Sequence, residues 1–163
     1  MKQLLLIRHA KSDQSFFGND FERPLNERGK TDAPVMAKRL LSKHIKLEAF
    51  VSSPAKRAKK TAEIFANEYG VEEEEITFIS ALYHAPAEVL YAVVQQLPDE
   101  HNHVAIFTHN PGISYFVNTL LPDVSIDNMP TCGIFAISID TDNWKDFKKA
   151  PKKFLFFDSP KAG

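Results

Sequence analysis

The sequence predicts a three-layer α/β/α sandwich with a mainly parallel central sheet. Two observations lead to this fold class. Short apolar runs alternate along the chain with longer segments of helical period, and a polar turn usually separates a run from the helix that follows it. Strands that alternate with helices build a parallel sheet covered on both faces. The 163 residues contain no repeat or linker, and at roughly 150 residues per domain we expect a single domain over residues 1–163.

The predicted strands are short apolar runs. The first, residues 4–7, is apolar throughout, as is typical of a strand that is buried on both faces of a parallel sheet. The others are residues 49–51, 77–79, 104–107, 133–139 and 154–157. No long helix separates the last two runs, so antiparallel edge strands are expected there.

Four segments of helical period lie between these runs. The first is capped by Asn26 and runs toward Lys43. Pro34 lies inside it, so either the helix kinks there or a separate first turn precedes a helix that begins near Asp32. The other three cover about residues 55–69, 86–97 and 112–121. Gly70 is expected to end the second helix as its C-cap.

Composition and charge exclude several classes of function. With 20 basic and 21 acidic residues the net charge is −1, which excludes a globally basic nucleic-acid binder. The first apolar run is far shorter than the ~20 residues of a membrane span, and it is too short for a signal peptide. The single cysteine, Cys132, excludes an internal disulfide and a cysteine-based zinc site. We therefore expect a cytoplasmic protein that binds neither nucleic acid nor membrane.

Cationic and imidazole side chains stand at the ends of three predicted strands. Arg8 and His9 end the first strand. Residues 52–54 lead from the second strand to Arg57, and His109 ends a later strand. Ligands bind at the carboxyl ends of strands in open α/β sheets, so neighbouring strands would bring these groups into one crevice.

The chemistry of these groups indicates phosphoryl transfer. Two arginine forks fit the oxygens of a phosphoryl group, which accepts bidentate hydrogen bonds. An imidazole such as His9 can act as the nucleophile, because one ring nitrogen carries a lone pair near neutral pH. Such a site needs no metal, and no cofactor is predicted.

Four segments of the chain resemble a known family. The run Leu6-Ile7-Arg8-His9-Ala10-Lys11-Ser12 resembles the Arg-His-Gly signature of the histidine phosphatase superfamily, also called phosphoglycerate-mutase-like. Within it the chain looks most like the short phosphohistidine phosphatases of the SixA type. The resemblance extends through residues 23–29, 51–58 and 108–112, so it spans about residues 4–113. Ala10 departs from the glycine of the signature, a change of small cost unless the turn needs a positive φ.

The resemblance implies a fold and a set of roles. It implies a phosphoglycerate-mutase-like fold and a phosphatase that is phosphorylated on His9. Arg8, Arg57 and His109 match the phosphate pocket of the family. Ser12 stands where the motif often carries a hydroxyl, which makes it a further candidate for phosphate binding.

The acidic proton donor of many family members is missing from its usual place. The comparable residues 81–86 contain no carboxylate, and the first one after them is Glu88. His84 is a candidate donor, although a structural turn histidine is an equally good interpretation, and Tyr83 is a poorer donor. The imidazole of phosphohistidine leaves easily without a donor, whereas an alkoxide does not. The predicted substrate is therefore a phosphohistidine-containing protein, such as a phosphotransfer domain.

Three alternative functions remain. The first is a phosphomonoesterase or mutase that acts on a small phosphoester with the same fold. The second is a non-catalytic module that binds a phosphoprotein. The third, a nucleotide-binding Rossmann domain, is disfavoured because no G-x-G-x-x-G loop follows the first strand. The sequence does not define the oligomeric state.

Other features of the sequence allow two interpretations each. Phe16 and Phe17 are expected at the rim of the crevice, where they either contact a partner or cover the core. The pair His101 and His103 is weak as a metal site and more typical of solvated residues before a strand. A late lysine cluster either docks an acidic partner or forms an ordinary polar surface; it comprises Lys145, Lys148, Lys149, Lys152 and Lys153.

Overall fold

The sheet and the helices follow the chain in the predicted order. The computed structural model describes residues 1–162. The strands are β1 (Lys2–Arg8), β2 (Ala49–Ser52), β3 (Thr77–Phe78), β4 (His103–Thr108), β5 (Ile134–Ile139) and β6 (Lys152–Asp158). The α-helices of this part of the chain are α1 (Glu27–Ser42), α2 (Lys56–Glu68), α3 (Ala87–Gln95) and α4 (Gly112–Leu120). The prediction of an α/β sandwich is confirmed.

The six strands form one mixed sheet in the order β3-β2-β4-β1-β5-β6. β3, β2, β4 and β1 pair in parallel, whereas β5 pairs antiparallel with both β1 and β6. The two late strands are therefore antiparallel, as expected from the missing helix between them. β4 lies between β1 and β2, so the three strands that end in cationic or imidazole residues are direct neighbours. Their carboxyl ends lie at one edge of the sheet.

A hydrophobic core lies on each face of the sheet. In β1, Leu4 and Leu6 pack with α3 and α4, whereas Leu5 and Ile7 pack with α1 and α2. All four side chains are fully buried, which explains why this strand is apolar at every position. Burial of each such side chain stabilises the fold by about 1.5–3 kcal/mol relative to an exposed one.

α1 is a single helix that contains Pro34. Its N-cap is Asn26, as predicted, and the Asn26 side chain accepts a hydrogen bond of 2.8 Å from the Gly29 backbone N–H. The alternative of a separate helix beginning near Asp32 is wrong, because the helix starts at Glu27 and continues through the proline. Proline in a helix removes one hydrogen bond, and here the other contacts of the helix with the core outweigh that loss.

The amino ends of the parallel strands lie at the opposite edge of the sheet from the carboxyl ends. Lys152 starts β6 and pairs with Ile139 at the end of β5. The Trp144 indole donates a hydrogen bond of 2.8 Å to the His101 carbonyl, just before β4. The late lysine cluster therefore lies far from the strand ends that carry Arg8 and His109.

None of the helices in residues 1–162 is long and apolar enough to cross a bilayer.

Candidate active site

The carboxyl ends of β1, β2 and β4 open into a cleft of about 650 Å³. The cleft brings together all six residues that the sequence singled out, namely Arg8, His9, Ser12, Arg57, His84 and His109. Asp20 and Arg23 also line it, and neither was a candidate at the level of sequence. The convergence follows from the strand order, because the loop after each of the three strands supplies at least one of these side chains.

His9 is buried at the base of the cleft, with only 6% of its surface exposed. Its Nδ1 lies 2.7 Å from the Ala10 carbonyl oxygen. A carbonyl can only accept a hydrogen bond, so Nδ1 carries the proton and Nε2 carries the lone pair. Burial lowers the pKa of His9 to about 3; the positive charges of Arg57 and Arg8 act in the same direction, and the hydrogen bond to Ala10 opposes them. His9 is therefore neutral at neutral pH, the state that a nucleophile requires.

His109 lies beside His9, with the two ring centroids 5.1 Å apart. Its Nε2 is 2.8 Å from the Ser53 hydroxyl. Burial, and after it the neighbouring His9 and Arg57, lower the pKa of His109 to about 2. When the Ser53 hydroxyl donates to Nε2, Nδ1 carries the proton of this neutral ring and is available as a donor.

Two guanidinium groups flank the histidines. Arg57 lies in the first turn of α2 and is 3% exposed, in a position where the helix dipole also favours an anion. Arg8 ends β1, and its Nη1 donates a hydrogen bond of 2.8 Å to the Met129 carbonyl. Burial and the charge of Arg57 lower the pKa of Arg8. Two cations in a desolvated pocket favour binding of an anion between them.

Buried side-chain nitrogen atoms without a hydrogen-bond partner belong to residues of the same cleft. Within residues 1–162, four buried side-chain nitrogens have no hydrogen-bond partner, and three of them are Arg8 Nε, Arg57 Nε and His109 Nδ1. A buried donor without an acceptor costs about 1–3 kcal/mol. Three such atoms on the residues of one cleft are well explained by an anion site, whose oxygens would satisfy them.

Asp20 is a carboxylate inside this cationic cleft. Its Oδ2 accepts hydrogen bonds from the Tyr83 hydroxyl (2.7 Å) and from Arg57 Nη2 (3.0 Å). Its Oδ1 accepts one from Arg23 Nη2 at 2.6 Å. The bond from Tyr83, followed by those from Arg23 and Arg57, holds the pKa of Asp20 well below its ordinary value, although partial burial opposes them. The carboxylate is therefore ionised at neutral pH.

The contacts of Asp20 could not be read from the chain. The one local signal is its spacing of three residues before Arg23, which allows an ion pair across a short 3-10 turn. Its contacts with Arg57 and Tyr83 cross 37 and 63 residues of sequence. Only the sheet order brings those segments together.

Ser12 is buried and holds another side chain in place. Its hydroxyl oxygen accepts hydrogen bonds from Arg23 Nη1 (2.8 Å) and Gln14 Nε2 (3.0 Å). In this structure Ser12 therefore orients Arg23, which adds a third guanidinium to the two that the sequence indicated. A direct contact between Ser12 and a phosphoryl group stays a prediction.

His84 lies at the mouth of the cleft and is 65% exposed. Its ring packs on that of Tyr83 at 3.9 Å between centroids, and its Nε2 lies 4.0 Å from Asp20 Oδ2. The backbone of His84 has φ 60°, a conformation that costs a residue other than glycine about 1–3 kcal/mol. Such strain is retained where surrounding contacts hold the segment in place, as the Tyr83–Asp20 hydrogen bond does here.

Two smaller predictions also have an outcome. Ala10 is not among the residues with positive φ, so alanine replaces the glycine of the signature without strain. Phe17 is fully exposed, at 101%, so the interpretation that it covers the core is wrong. Separately, no group of three or more His, Cys, Asp or Glu side chains within residues 1–162 is arranged to hold a metal ion.

Part of the chain matches a known family. The family described as Histidine phosphatase superfamily (branch 1) matches residues 4–82. An uncharacterised protein of Picosynechococcus sp. is 35% identical over 65 residues, which is 39% of this chain and 39% of that protein. That alignment therefore spans less than half the length of either protein.

Several solved structures share the fold. The structure assigned as the phosphohistidine phosphatase SixA of Agrobacterium tumefaciens superposes with a TM-score of 0.82 at 22% identity, over 98% of both chains. A protein histidine phosphatase SixA complexed with tungstate gives 0.81 at 23% identity, over 97% of both. The mycobacterial glucosyl-3-phosphoglycerate phosphatase in complex with VO3 gives 0.72 at 17% identity, over 98% of this chain and all of that one. The predicted phosphoglycerate-mutase-like fold is the one that the SixA structures have.

Proposed function

We propose that the chain is a histidine phosphatase, as the family match over residues 4–82 indicates, and that it removes the phosphoryl group from phosphohistidine in a protein, through a covalent phospho-His9 intermediate. The observation that carries the proposal is the state of His9. It is buried and neutral, its proton is held on Nδ1 by the Ala10 carbonyl, and Nε2 keeps its lone pair. The donors of Arg8, Arg57 and His109 surround it in the same cleft.

The reaction has two displacement steps. In the first, Nε2 of His9 attacks phosphorus, and the bond between phosphorus and the substrate ring breaks. The substrate ring carries a proton on its other nitrogen and therefore leaves as neutral imidazole, while phospho-His9 keeps its proton on Nδ1. In the second, water attacks the phosphorus of phospho-His9 and releases inorganic phosphate together with the restored imidazole. Arg8, Arg57 and His109 donate hydrogen bonds to the phosphoryl oxygens and stabilise the charge of both transition states. The groups that do this are all side chains of the protein, so the proposed mechanism uses no metal and no cofactor.

The proton inventory of the cleft favours a leaving group that needs no strong acid. Asp20 is ionised, so it does not donate a proton. Burial and the neighbouring Asp20 raise the pKa of the Tyr83 hydroxyl, which makes it a weak acid. An imidazole, with a reference pKa of ~6.5, leaves easily, whereas an alkoxide leaves poorly without a donor. His84 is the remaining candidate donor, and its exposed ring also leaves the mouth of the cleft accessible to a protein-borne phosphohistidine.

Three solved structures with the same fold bear on the substrate. The SixA structures are named for phosphohistidine or protein histidine phosphatases, and one of them binds tungstate, an oxyanion that resembles phosphate. The glucosyl-3-phosphoglycerate phosphatase has the same fold and a small phosphoester as its named substrate. A small-molecule phosphomonoesterase is therefore the second candidate function. The proposed location is the cytoplasm, where the one cysteine, the buried Cys132, stays reduced.

The decisive experiment compares substrates and traps the intermediate. Phosphate release is measured from a histidine-phosphorylated protein and from a set of phosphomonoesters, with and without a chelator. We expect turnover of the phosphohistidine protein, no effect of the chelator, and an acid-labile, base-stable phosphoryl label on the wild type after rapid quench. His9→Ala should lose both the label and the turnover. Full activity of His9→Ala would contradict the covalent mechanism, and faster turnover of phosphomonoesters would favour the second candidate.

A further inference from the structure

A second groove, of about 660 Å³, lies beside the catalytic cleft between α1, α2 and residues 20–25. Four lysines line it, namely Lys30, Lys56, Lys59 and Lys60. Two glutamates, Glu22 and Glu63, line it as well. The lysine side chains are exposed to solvent, and the groove is net positive on a protein whose net charge is −1. The positive charge of this lysine groove is therefore a local feature.

The lysines of α2 have no acidic partner in the folded chain. Within residues 1–162, Lys56, Lys59 and Lys60 are absent from every ion pair with a carboxylate. The ammonium of Lys59 lies over the Phe78 ring at 5.5 Å, a contact that leaves its charge unpaired. Lys30 forms one exposed pair, with Glu27 at 3.5 Å. Three unpaired cations on adjacent turns of one helix leave a positive potential that an external anion can use.

Residues that are adjacent in sequence line the lysine groove and the catalytic cleft, so the two sites lie side by side. Asp20 lines the cleft, and the next two residues, Phe21 and Glu22, line the groove. Arg57 lines the cleft from the first turn of α2, and the residue before it, Lys56, lines the groove. A protein whose phosphohistidine enters the cleft would therefore place its neighbouring surface over the lysines.

We propose that the lysine groove binds a carboxylate-rich segment of the phosphoprotein substrate, next to the phosphorylated histidine. This inference rests on the proposed function and adds the chemical class of the partner surface. Complementary charge of this kind accelerates association and specifies the partner, and it weakens as salt screens the charges.

An acidic protein segment fits the groove better than a nucleic acid does. Glu22 and Glu63 interrupt the lysines, so the closely spaced phosphates of a nucleic acid would meet repulsion at these two places. Asp and Glu side chains on a protein surface are discrete charges, and they can face the lysines while uncharged residues face the glutamates. The apolar wall formed by Phe21 and Leu25 also suits the mixed surface of a protein.

The chain offers a matched pair of charge-reversal variants. The first is Lys59→Glu/Lys60→Glu in the lysine groove. The second is Lys148→Glu/Lys149→Glu in the late lysine cluster at the opposite edge of the sheet. Each replaces two adjacent exposed lysines, one of which lies 5.5 Å above an aromatic ring, Phe78 or Tyr91. Each pair of Lys→Glu changes shifts the net charge by −4, from −1 to −5, so bulk electrostatic effects are equal.

The test measures kcat/KM on a histidine-phosphorylated phosphotransfer domain with an acidic surface and on free phosphohistidine, at low and high salt. We expect the groove variant to lose about 10-fold or more on the protein at low salt, with free phosphohistidine unchanged and the difference shrinking at high salt. The control variant should stay within about twofold of wild type on both substrates.

Several outcomes would overturn the inference. Equal losses in the two variants would show a bulk charge effect, and an equal loss on free phosphohistidine would show damage to the cleft. Stronger inhibition by a single-stranded oligonucleotide than by a poly-glutamate peptide of equal charge would assign the groove to nucleic acid. Wild-type turnover of phosphohistidine with no difference between the variants overturns this inference alone. Absence of wild-type turnover on both substrates overturns the proposed function, and the inference with it.

Discussion

At the scale of single residues, the cleft contains its own anion. The carboxylate of Asp20 accepts hydrogen bonds from Arg57, Arg23 and Tyr83. A phosphoryl group bound in the cleft would accept the same type of hydrogen bond from the two guanidinium groups. A bound phosphoryl group and the Asp20 carboxylate would therefore repel one another and share the fork of Arg57. Asp20 thus lowers the affinity of the cleft for anions while it keeps the guanidiniums in place.

We predict that Asp20→Asn binds tungstate or inorganic phosphate more tightly than the wild type does. Two unit charges at ~4 Å interact by about 1–4 kcal/mol near a protein surface, so removal of the negative charge should lower the Kd by about 5-fold or more. Asparagine keeps the backbone carbonyl that accepts from Arg57 Nη1 at 2.8 Å. Isothermal titration calorimetry at neutral pH measures the change. Glu22→Gln, a neighbouring carboxylate that lines the lysine groove, is the control and should change the Kd little.

An unchanged or higher Kd for Asp20→Asn would mean that the carboxylate mainly positions Arg57 and Arg23. Its repulsion of the ligand would then be the smaller effect.

A second prediction at this scale concerns the leaving group. With Asp20 ionised, kcat/KM should fall steeply as the pKa of the leaving group rises, so phosphohistidine and aryl phosphates react fast and alkyl phosphates slowly. General acids contribute about 10²–10⁴-fold, so the gap between aryl and alkyl esters should be at least ~10²-fold. A linear free-energy plot of kcat/KM against leaving-group pKa measures it, for the wild type and for His84→Ala.

The two lines of that plot separate the roles of His84. If His84 donates the proton, His84→Ala slows alkyl esters much more than phosphohistidine. If His84 is structural, both substrates change by the same factor. A flat wild-type line, under conditions where the chemical step limits the rate, would point to a strong acid in the cleft and would favour the phosphomonoesterase function.

At the scale of the elements, the local signals in the sequence were sufficient for most of the fold. The apolar run of β1 and the cap of α1 at Asn26 are encoded by adjacent residues, so pattern and capping chemistry predict them. Arg8, His9, Arg57 and His109 could be chosen because each follows directly on a predicted strand or lies in the first turn after it. Local signals do not show which residues that are distant in sequence contact each other.

Two features show where that limit lies. Pro34 suggested a break in α1, but the packing of the helix against the core outweighs the missing hydrogen bond. Asp20 lies in a loop with no apolar period, and its partners Arg57 and Tyr83 come from other elements. Residue types therefore predicted the cations of the candidate site, whereas the carboxylate that balances them depends on tertiary structure.

The first residue of α4 gives a prediction for an element. A Cβ at Gly112 would lie too close to the Ala85 carbonyl oxygen, at 1.8 Å, in the segment that carries Tyr83 and His84. Gly112→Ala should therefore push that segment away, weaken the Tyr83–Asp20 hydrogen bond and destabilise the protein by about 1–3 kcal/mol. We expect kcat/KM to fall as well, because the cleft loses its arrangement. Urea unfolding and steady-state kinetics measure the two effects.

Gly70→Ala is the matched control for that substitution. Gly70 has φ 72°, and no atom lies within 4 Å of the place that a Cβ would take there. Alanine at this position therefore costs about 1–2 kcal/mol of backbone strain without touching the cleft. The control should lose stability and keep the wild-type kcat/KM. The prediction fails if Gly112→Ala is as active as Gly70→Ala.

At the scale of the whole molecule, the two ends of the parallel strands differ in the polar groups that they carry. The carboxyl ends of β1, β2 and β4 collect the charged and unpartnered groups of the cleft. The amino ends carry groups that satisfy each other, for example the Trp144 indole and the His101 carbonyl. Three of the four buried unpartnered side-chain nitrogens of residues 1–162 therefore lie in the cleft, whereas the fourth, His103 Nδ1, lies at the start of β4, and the rest of the core offsets their cost.

This concentration predicts how the stability of the whole fold depends on pH. The folded pKa of His9 is about 3 and that of His109 about 2, whereas both pKa values are ~6.5 in an unfolded chain. Below pH ~6.5 the unfolded state binds protons that the folded state does not, so the free energy of unfolding should fall as the pH is lowered.

The slope of this pH dependence has an upper limit of about 1.4 kcal/mol per pH unit for each histidine. Urea unfolding in phosphate-free buffer between pH 6.5 and ~5.5, where ordinary carboxylates are still almost fully ionised, measures it. His9→Gln/His109→Gln should have a clearly smaller slope, whatever its stability at pH 7. A slope equal to that of the wild type would show that the two histidines do not stay neutral in the folded protein, and the proposed state of the nucleophile would be wrong.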